Sequence, residues 1–293
     1  MDNMTAKVSC FTRAYHYRNN AAHIFADPCA GALLGADYER IAQSMARGVG
    51  YFIPGFSGSA EEGLRLIVDR QLSPSVLGRS AFCERSLENE QRLGCRQYLI
   101  FASGYDTFAI RDRDDSLTVY ELDLSQMLAD KQARADKAGL ASRAVYIPCD
   151  LSSETAWPER LADRGYMRGS KSFASLLGIS YYLDKDAFRA ILKTLGGVMP
   201  EGSAVCFDYP SQDCGREALT NRSLAQAAGE PMKAQYARRE LEFILQECGF
   251  LIYEHLDHKE MTGQYFSAYN SRCPAHRMEA PEGVCYALAV RKA

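Results

Sequence analysis

The chain has 293 residues, 47% of them hydrophobic and 24% charged, which is the balance of a globular protein and excludes a disordered or collagen-like one. With 34 basic and 37 acidic residues the net charge is −3, so no overall field marks nucleic acid or an anionic membrane as a partner. There is no run of 18 apolar residues, and the opening MDNMTAKVSC lacks an apolar signal core. The expectation is therefore a cytoplasmic protein with no membrane span.

In chain order, residues 1–95 read as mostly helical, with turn signals at Asp27-Pro28 and Gly35. The aromatic, Gly/Ser-rich stretch VGYFIPGFSGS (49–59) reads as a loop that covers something apolar, and helices are expected over 60–71 and 79–94. From residue 96 short apolar runs take over: QYLIFA (97–102), LTVYELD (117–123), AVYIPCD (144–150), SFASLLGISYYL (172–183) and SAVCFDYP (203–210). Helical patterns such as SQMLADKQARADKAG and KDAFRAILKTLGG lie between them. Near-continuous apolarity fits strands buried on both faces of a parallel sheet built from βα units. An amphipathic helix over 238–250 precedes two closing runs, FLIYEHL and GVCYALAVRK, with a polar, loop-like stretch (257–282) between them. The expected fold is α/β, a seven-stranded, mainly parallel sheet with an antiparallel last strand. No linker interrupts the chain, so one domain is expected, with 1–95 as a helical extension and lid and 96–293 as the α/β core.

Ten cysteines show no CxxC spacing, and several stand inside apolar runs. They read as reduced thiols buried as small hydrophobes.

Ligands of an open parallel sheet bind at the carboxyl ends of its strands. The first strand ends in ASGYDT, where Gly104 lets a ligand approach the backbone. The second ends in Glu121-Leu122-Asp123, and Asp123 stands 19 residues beyond Gly104, the spacing of a carboxylate that bonds ribose hydroxyls. The third ends in Cys149-Asp150-Leu151, an acid and an apolar residue suited to an adenine amino group and ring. A pyrophosphate needs more glycines than ASGYDT offers, and Asp106 stands where its charge would sit. Those features point away from a dinucleotide and toward an adenosine cofactor without phosphate, for which S-adenosylmethionine fits. Taken singly, the same residues also read as an ordinary turn and as helix caps.

The stretches QYLIFASGYDTFAIR and VYELDLSQMLADK resemble the leucine carboxyl methyltransferase family of S-adenosylmethionine-dependent methyltransferases, with a Rossmann-like fold. The resemblance runs from about Lys7 to the final strand. It implies that Lys7 and Arg79 hold the carboxylate of the cofactor's methionine part. It places Ala102, Ser103, Gly104 and Asp106 in the cofactor turn, Asp123 with Glu121 at the ribose, and Asp150 with Leu151 at the adenine. Two positions depart from the family pattern: Ala102 replaces the first Gly of the turn, and Leu177 stands where the leucine carboxyl methyltransferases themselves carry a Glu.

For the acceptor, the aromatic set Tyr15, His16, Tyr17, Tyr51, Phe52, Phe56, Tyr181, Tyr182 and Tyr209 suggests either core packing or an apolar pocket. His16, Tyr181, Tyr182 and Tyr209 are the substrate-pocket candidates, and no catalytic base is assigned. His255, His258, Cys273 and His276 lack the tight spacing of a closed zinc site, so no metal is expected. The resulting expectation is O-methylation of a carboxylate or hydroxyl on a small molecule or peptide. Its rivals are a non-catalytic cofactor-binding regulator and a nicotinamide oxidoreductase.

Overall fold

The computed structural model describes residues 3–152, 156–212 and 233–292. The extension comprises α1 (Met4–Asn19), α2 (Ala30–Leu34), α3 (Asp37–Arg47), α4 (Val49–Phe52), α5 (Ala60–Ile67) and α6 (Ser73–Arg92). A π-helical turn, Val68–Leu72, joins the last two. The core follows as β1 (Gln97–Phe101), α7 (Phe108–Arg111), β2 (Thr118–Asp123), α8 (Ser125–Lys137), β3 (Val145–Pro148), α9 (Trp157–Asp163), β4 (Ser172–Leu176), α10 (Lys185–Val198) and β5 (Ala204–Pro210). The helix Arg238–Glu247 then leads into β6 (Phe250–Leu256), and β7 (Val284–Arg291) closes the sheet.

The seven strands lie in the order β3-β2-β1-β4-β5-β7-β6. All pairings are parallel except those of β7, which runs antiparallel to both β5 and β6. The order reverses between β1 and β4, and that switch point opens a crevice at the strands' carboxyl ends.

Alternation along β1 explains why its whole length is apolar. Leu99 and Phe101 enter one core with α9, α10 and Arg238–Glu247, while Tyr98 and Ile100 enter another with Leu77, Phe82 and Leu87 of α6. In the first core Phe101 meets Trp157 edge to face, with centroids 5.1 Å apart. A third cluster joins α1, α2 and α3 to Met127 and Ala135 of α8, so the extension is packed onto the core.

Three expectations change. The fourth run stops being a strand at Leu176, because Gly178 takes φ +69° and turns the chain. The polar stretch 257–282 is largely helical: a capping box of Asp257 and Glu260 starts His258–Met261, a π-helical turn covers Thr262–Phe266, and Ser267–Arg272 follows. Met261, Phe266 and Tyr269 carry it into the second core, and their spacings of five and three residues hide a 3.6-residue period. Within 49–59 the residues Val49–Phe52 form a helical turn rather than loop, and Tyr51 is 68% exposed, meeting the Phe52 ring edge to face.

Candidate cofactor-binding cleft

Immediately after β1 the chain folds into two left-handed residues, Ala102 at φ +50° and Gly104 at φ +49°. Gly104 is required twice over, since a Cβ there would lie 3.2 Å from the Cβ of Ala6 on α1. Its N–H donates to Asp123 Oδ2 at 2.7 Å, and the Leu124 N–H donates to Oδ1 at the same distance. The two ends β1 and β2 are thus tied through one carboxylate. Burial pushes the Asp123 carboxyl above its ordinary value, and the two amide bonds work against that rise.

Asp123 stands where two adjoining cavities meet. One, about 450 Å³, is walled by Leu124, Leu151, Ile179, Tyr182 and Leu183, with Asp150 at its rim. Asp150 Oδ1 accepts from the Ser152 N–H at 2.9 Å, which fixes the end of β3. The other, about 200 Å³, extends from Ser103, Gly104 and Asp106 past Ser175 to Arg79, Ser9 and Arg13. Ala102, Asp123, Ile179 and Tyr182 line both. Asp106 Oδ1 accepts the Phe108 N–H at 2.7 Å, just ahead of α7.

Arg79 reaches this cleft from α6, with one guanidinium nitrogen 3.4 Å from Ser9 Oγ and another 3.7 Å from Asp208. The Arg13 guanidinium also reaches it, but is engaged by Asp27 at 2.8 Å and the Tyr105 carbonyl at 2.7 Å. Asp27 accepts from Thr107 Oγ1 at 2.7 Å as well, and so bolts α1 to the turn after β1. Burial alone would raise the Asp27 carboxyl, but Arg13 and Arg111 outweigh it and hold it low.

Of the sequence candidates, Arg79, Ala102, Ser103, Gly104, Asp106, Asp123, Asp150, Leu151 and Tyr182 meet around these two cavities. The others stand elsewhere. Lys7 pairs with Asp37 at 3.5 Å and is not on the cleft wall. Glu121 is fully buried beneath α8, ion-paired with Lys131, and its carboxyl is raised by burial although Lys131 lowers it. His16 is packed against Tyr269 and His23, and its Nε2 accepts the Ile24 N–H at 3.0 Å. Tyr209 is carried by strand alternation into the first core, where its hydroxyl meets His255 Nε2 at 2.8 Å. Tyr181 is buried behind the wall and donates to Asp208 at 2.9 Å. His16 and Tyr209 are therefore corrected from pocket to packing positions, and Tyr182 alone of the four aromatic candidates lines the cleft.

Arg13, Asp27 and Ser175 were missed by the sequence reading. Asp27-Pro28 carries only a turn signal, and its pairing with Arg13 crosses from the start of α2 back to α1.

His255, His258 and His276 face Tyr209, Glu282 and Asp69 respectively. No group of three or more candidate metal ligands is found among the described residues. Nine cysteines are free among the described residues, and Cys214 lies outside them. No helix among the described residues is long and apolar enough to cross a membrane. Two larger cavities, about 870 and 770 Å³, open beside the π-helical turn Val68–Leu72, the first against the 258–282 segment and the second against α5 and residues 275–277. They touch none of the strand-end residues, so position at the switch point, not volume, selects the cleft.

Comparison with known proteins bears on the family and the fold. A family model described as leucine carboxyl methyltransferase matches residues 6–196. A Bacillus subtilis (strain 168) chain, YktD, named as an S-adenosyl-L-methionine-dependent methyltransferase, is 31% identical over 99% of this chain and 98% of its own length. A similarly named chain of Mycobacterium marinum is 30% identical over 74% of this chain and 70% of its own. Among solved structures, a methyltransferase from Thermobifida fusca YX superposes with a TM-score of 0.59 at 15% identity, covering 89% of this chain and 92% of that one. At that identity the likeness speaks for the fold alone. With a matching model over most of its length and a full-length relative, the chain belongs to the leucine carboxyl methyltransferase family of S-adenosylmethionine-dependent methyltransferases.

Proposed function

We propose that the protein transfers the methyl group of S-adenosylmethionine to an oxygen, a carboxylate or a hydroxyl, of a small molecule or peptide. The observation that carries the reading is Asp123, a nearly buried carboxylate fixed by the Gly104 N–H at the meeting point of the two cavities. In this reading Asp123 accepts the ribose hydroxyls, and Asp150 and Leu151 meet the adenine. Arg79 faces the carboxylate of the methionine part, where its fork can bind two oxygens. Lys7 would join it only by leaving Asp37. The cofactor supplies an electrophilic methyl on a sulfonium. The chain's own task is to hold the acceptor oxygen about 3 Å from that carbon, in line with the leaving sulfur. A carboxylate is already ionised at neutral pH, whereas a hydroxyl needs a base, for which Tyr182 on the cleft wall is the candidate. We assign residues 1–95 as a lid, because α1 and α6 complete one wall of the cleft.

The test is transfer of a labelled methyl group to a panel of carboxylic acids, alcohols and amines. Base-labile label released as methanol is expected from an ester. Base-stable label on an alcohol shifts the reading to hydroxyls, and label on nitrogen alone refutes O-methylation.

A further inference from the structure

We propose that Asp208 is the positioning residue of the Arg79 side of the cleft, locating both the turn 177–182 and the Arg79 guanidinium. The proposal rests on the reading that Arg79 meets the cofactor carboxylate. Along β5 the side chains alternate, so Tyr209 enters the first core and Asp208 faces the other way, fully buried at the strand's carboxyl end. A buried carboxylate needs partners, and this one takes them from the exit turn of β4. Its Oδ1 accepts the Gly178 N–H at 2.6 Å, and its Oδ2 accepts the Tyr181 hydroxyl at 2.9 Å. Its backbone carbonyl accepts the Ser180 hydroxyl at 2.6 Å.

Three residues of one short turn therefore lean on a single residue. The same turn presents Leu177, Ile179 and Tyr182 to the cleft. Burial and the neighbouring anion keep the Tyr181 phenol far from ionisation, so it remains a donor. Arg79 closes the chain of contacts. Its guanidinium lies 3.7 Å from Asp208 Oδ2, and the Gly178 backbone presses so closely that a Cβ there would stand 2.5 Å from the Arg79 Nη1. Among the described residues its only other polar contact is the long one to Ser9 Oγ at 3.4 Å. The anion and the turn it anchors thus determine where the fork points, and leave its remaining donors for the cleft.

Calorimetric titration with S-adenosylhomocysteine and with 5′-methylthioadenosine tests this, because the second ligand keeps the adenosine and lacks the amino-acid carboxylate. Asp208→Asn, whose amide oxygen can still accept the Gly178 N–H and hold the turn, should weaken S-adenosylhomocysteine about tenfold and 5′-methylthioadenosine far less, because what is lost is the charge that orients Arg79. Arg79→Ala should show the same selectivity, and the double variant should bind no worse than Arg79→Ala alone. Equal losses for the two ligands, additive losses, or no loss in Asp208→Asn would overturn the proposal. Should that variant not fold, Tyr181→Phe decides: it keeps the ring and the carboxylate, and a selective loss of roughly two- to fivefold is expected, its absence refuting the role. Arg79→Ala without a selective loss would instead bring down the Arg79 assignment, so the two failures read differently.

Discussion

The half of the cleft proposed for adenosine and the half proposed for the methionine part are built on different principles. The first lies at the ends of consecutive strands, and its key carboxylate, Asp123, is held by backbone N–H groups of Gly104 and Leu124. The second is assembled from α1, α6 and the turn after β4, with Arg79 placed by side chains distant in sequence. A site on strand ends inherits its geometry from the ladder, whereas a site between helices depends on what lies behind its side chains. The first should therefore tolerate changes in the extension that disable the second.

The strongest way to break that contrast is to undermine the strand itself. Lys131 and Glu121 form a fully buried ion pair beneath α8, two residues before Asp123. Lys131→Met leaves the Glu121 charge alone in the core and should cost about 3–5 kcal/mol, read as a fall in the denaturation midpoint. A loss below about 1 kcal/mol would show that the pair does not support the β2 end.

The extension should give way first in acid. Burial, helped by His23 and Arg65, pushes His16 down to about 3. The folded value lies below the unfolded one of about 6.5, so the native state holds the ring neutral, and a protonated ring could not accept the Ile24 N–H. The stabilisation is complete above pH 6.5 and drains away as the pH falls toward 3, by about 1.4 kcal/mol per pH unit. Replacing His16 by Gln should flatten the acid limb of a stability-against-pH curve; an unchanged limb would locate the acid sensitivity elsewhere.

Asp123→Ala addresses the other half directly. It removes an acceptor of charge-assisted bonds worth about 1.5–3 kcal/mol each, so S-adenosylmethionine should bind at least about tenfold more weakly in a folded variant. S-adenosylhomocysteine and adenosine should suffer alike, in contrast to the selective loss expected at Arg79.

The smallest effect concerns Ala102, which holds φ +50° where a glycine is at ease. Ala102→Gly should relieve roughly 1 kcal/mol of backbone strain, offset in part by the greater freedom of the unfolded chain. A clear loss of stability would mean that its methyl group is a packed part of the wall.

Legibility in the sequence follows the same division. The strands around the cleft were readable because each is short, apolar and ended by a turn residue, and Gly104, Asp123 and Asp150 followed from their places at strand ends. His16, Tyr209 and the 258–282 helices were not. A ring next to a strand end gives no sign of which face it takes, and a π-helical turn breaks the period by which a helix is recognised.

By itself, the sequence determined the succession of strands, the turn after β1 and the acids at the ends of β2 and β3, since these depend on neighbours within a few residues. Only the tertiary structure decided that Lys7 turns to Asp37, that Glu121 is spent on Lys131, and that Arg79 stands before Asp208. Those partners lie 30, 10 and 129 positions apart. Whether a charge faces a ligand or a buried counter-charge is decided by packing, through the cost of leaving any charge out of water without a partner.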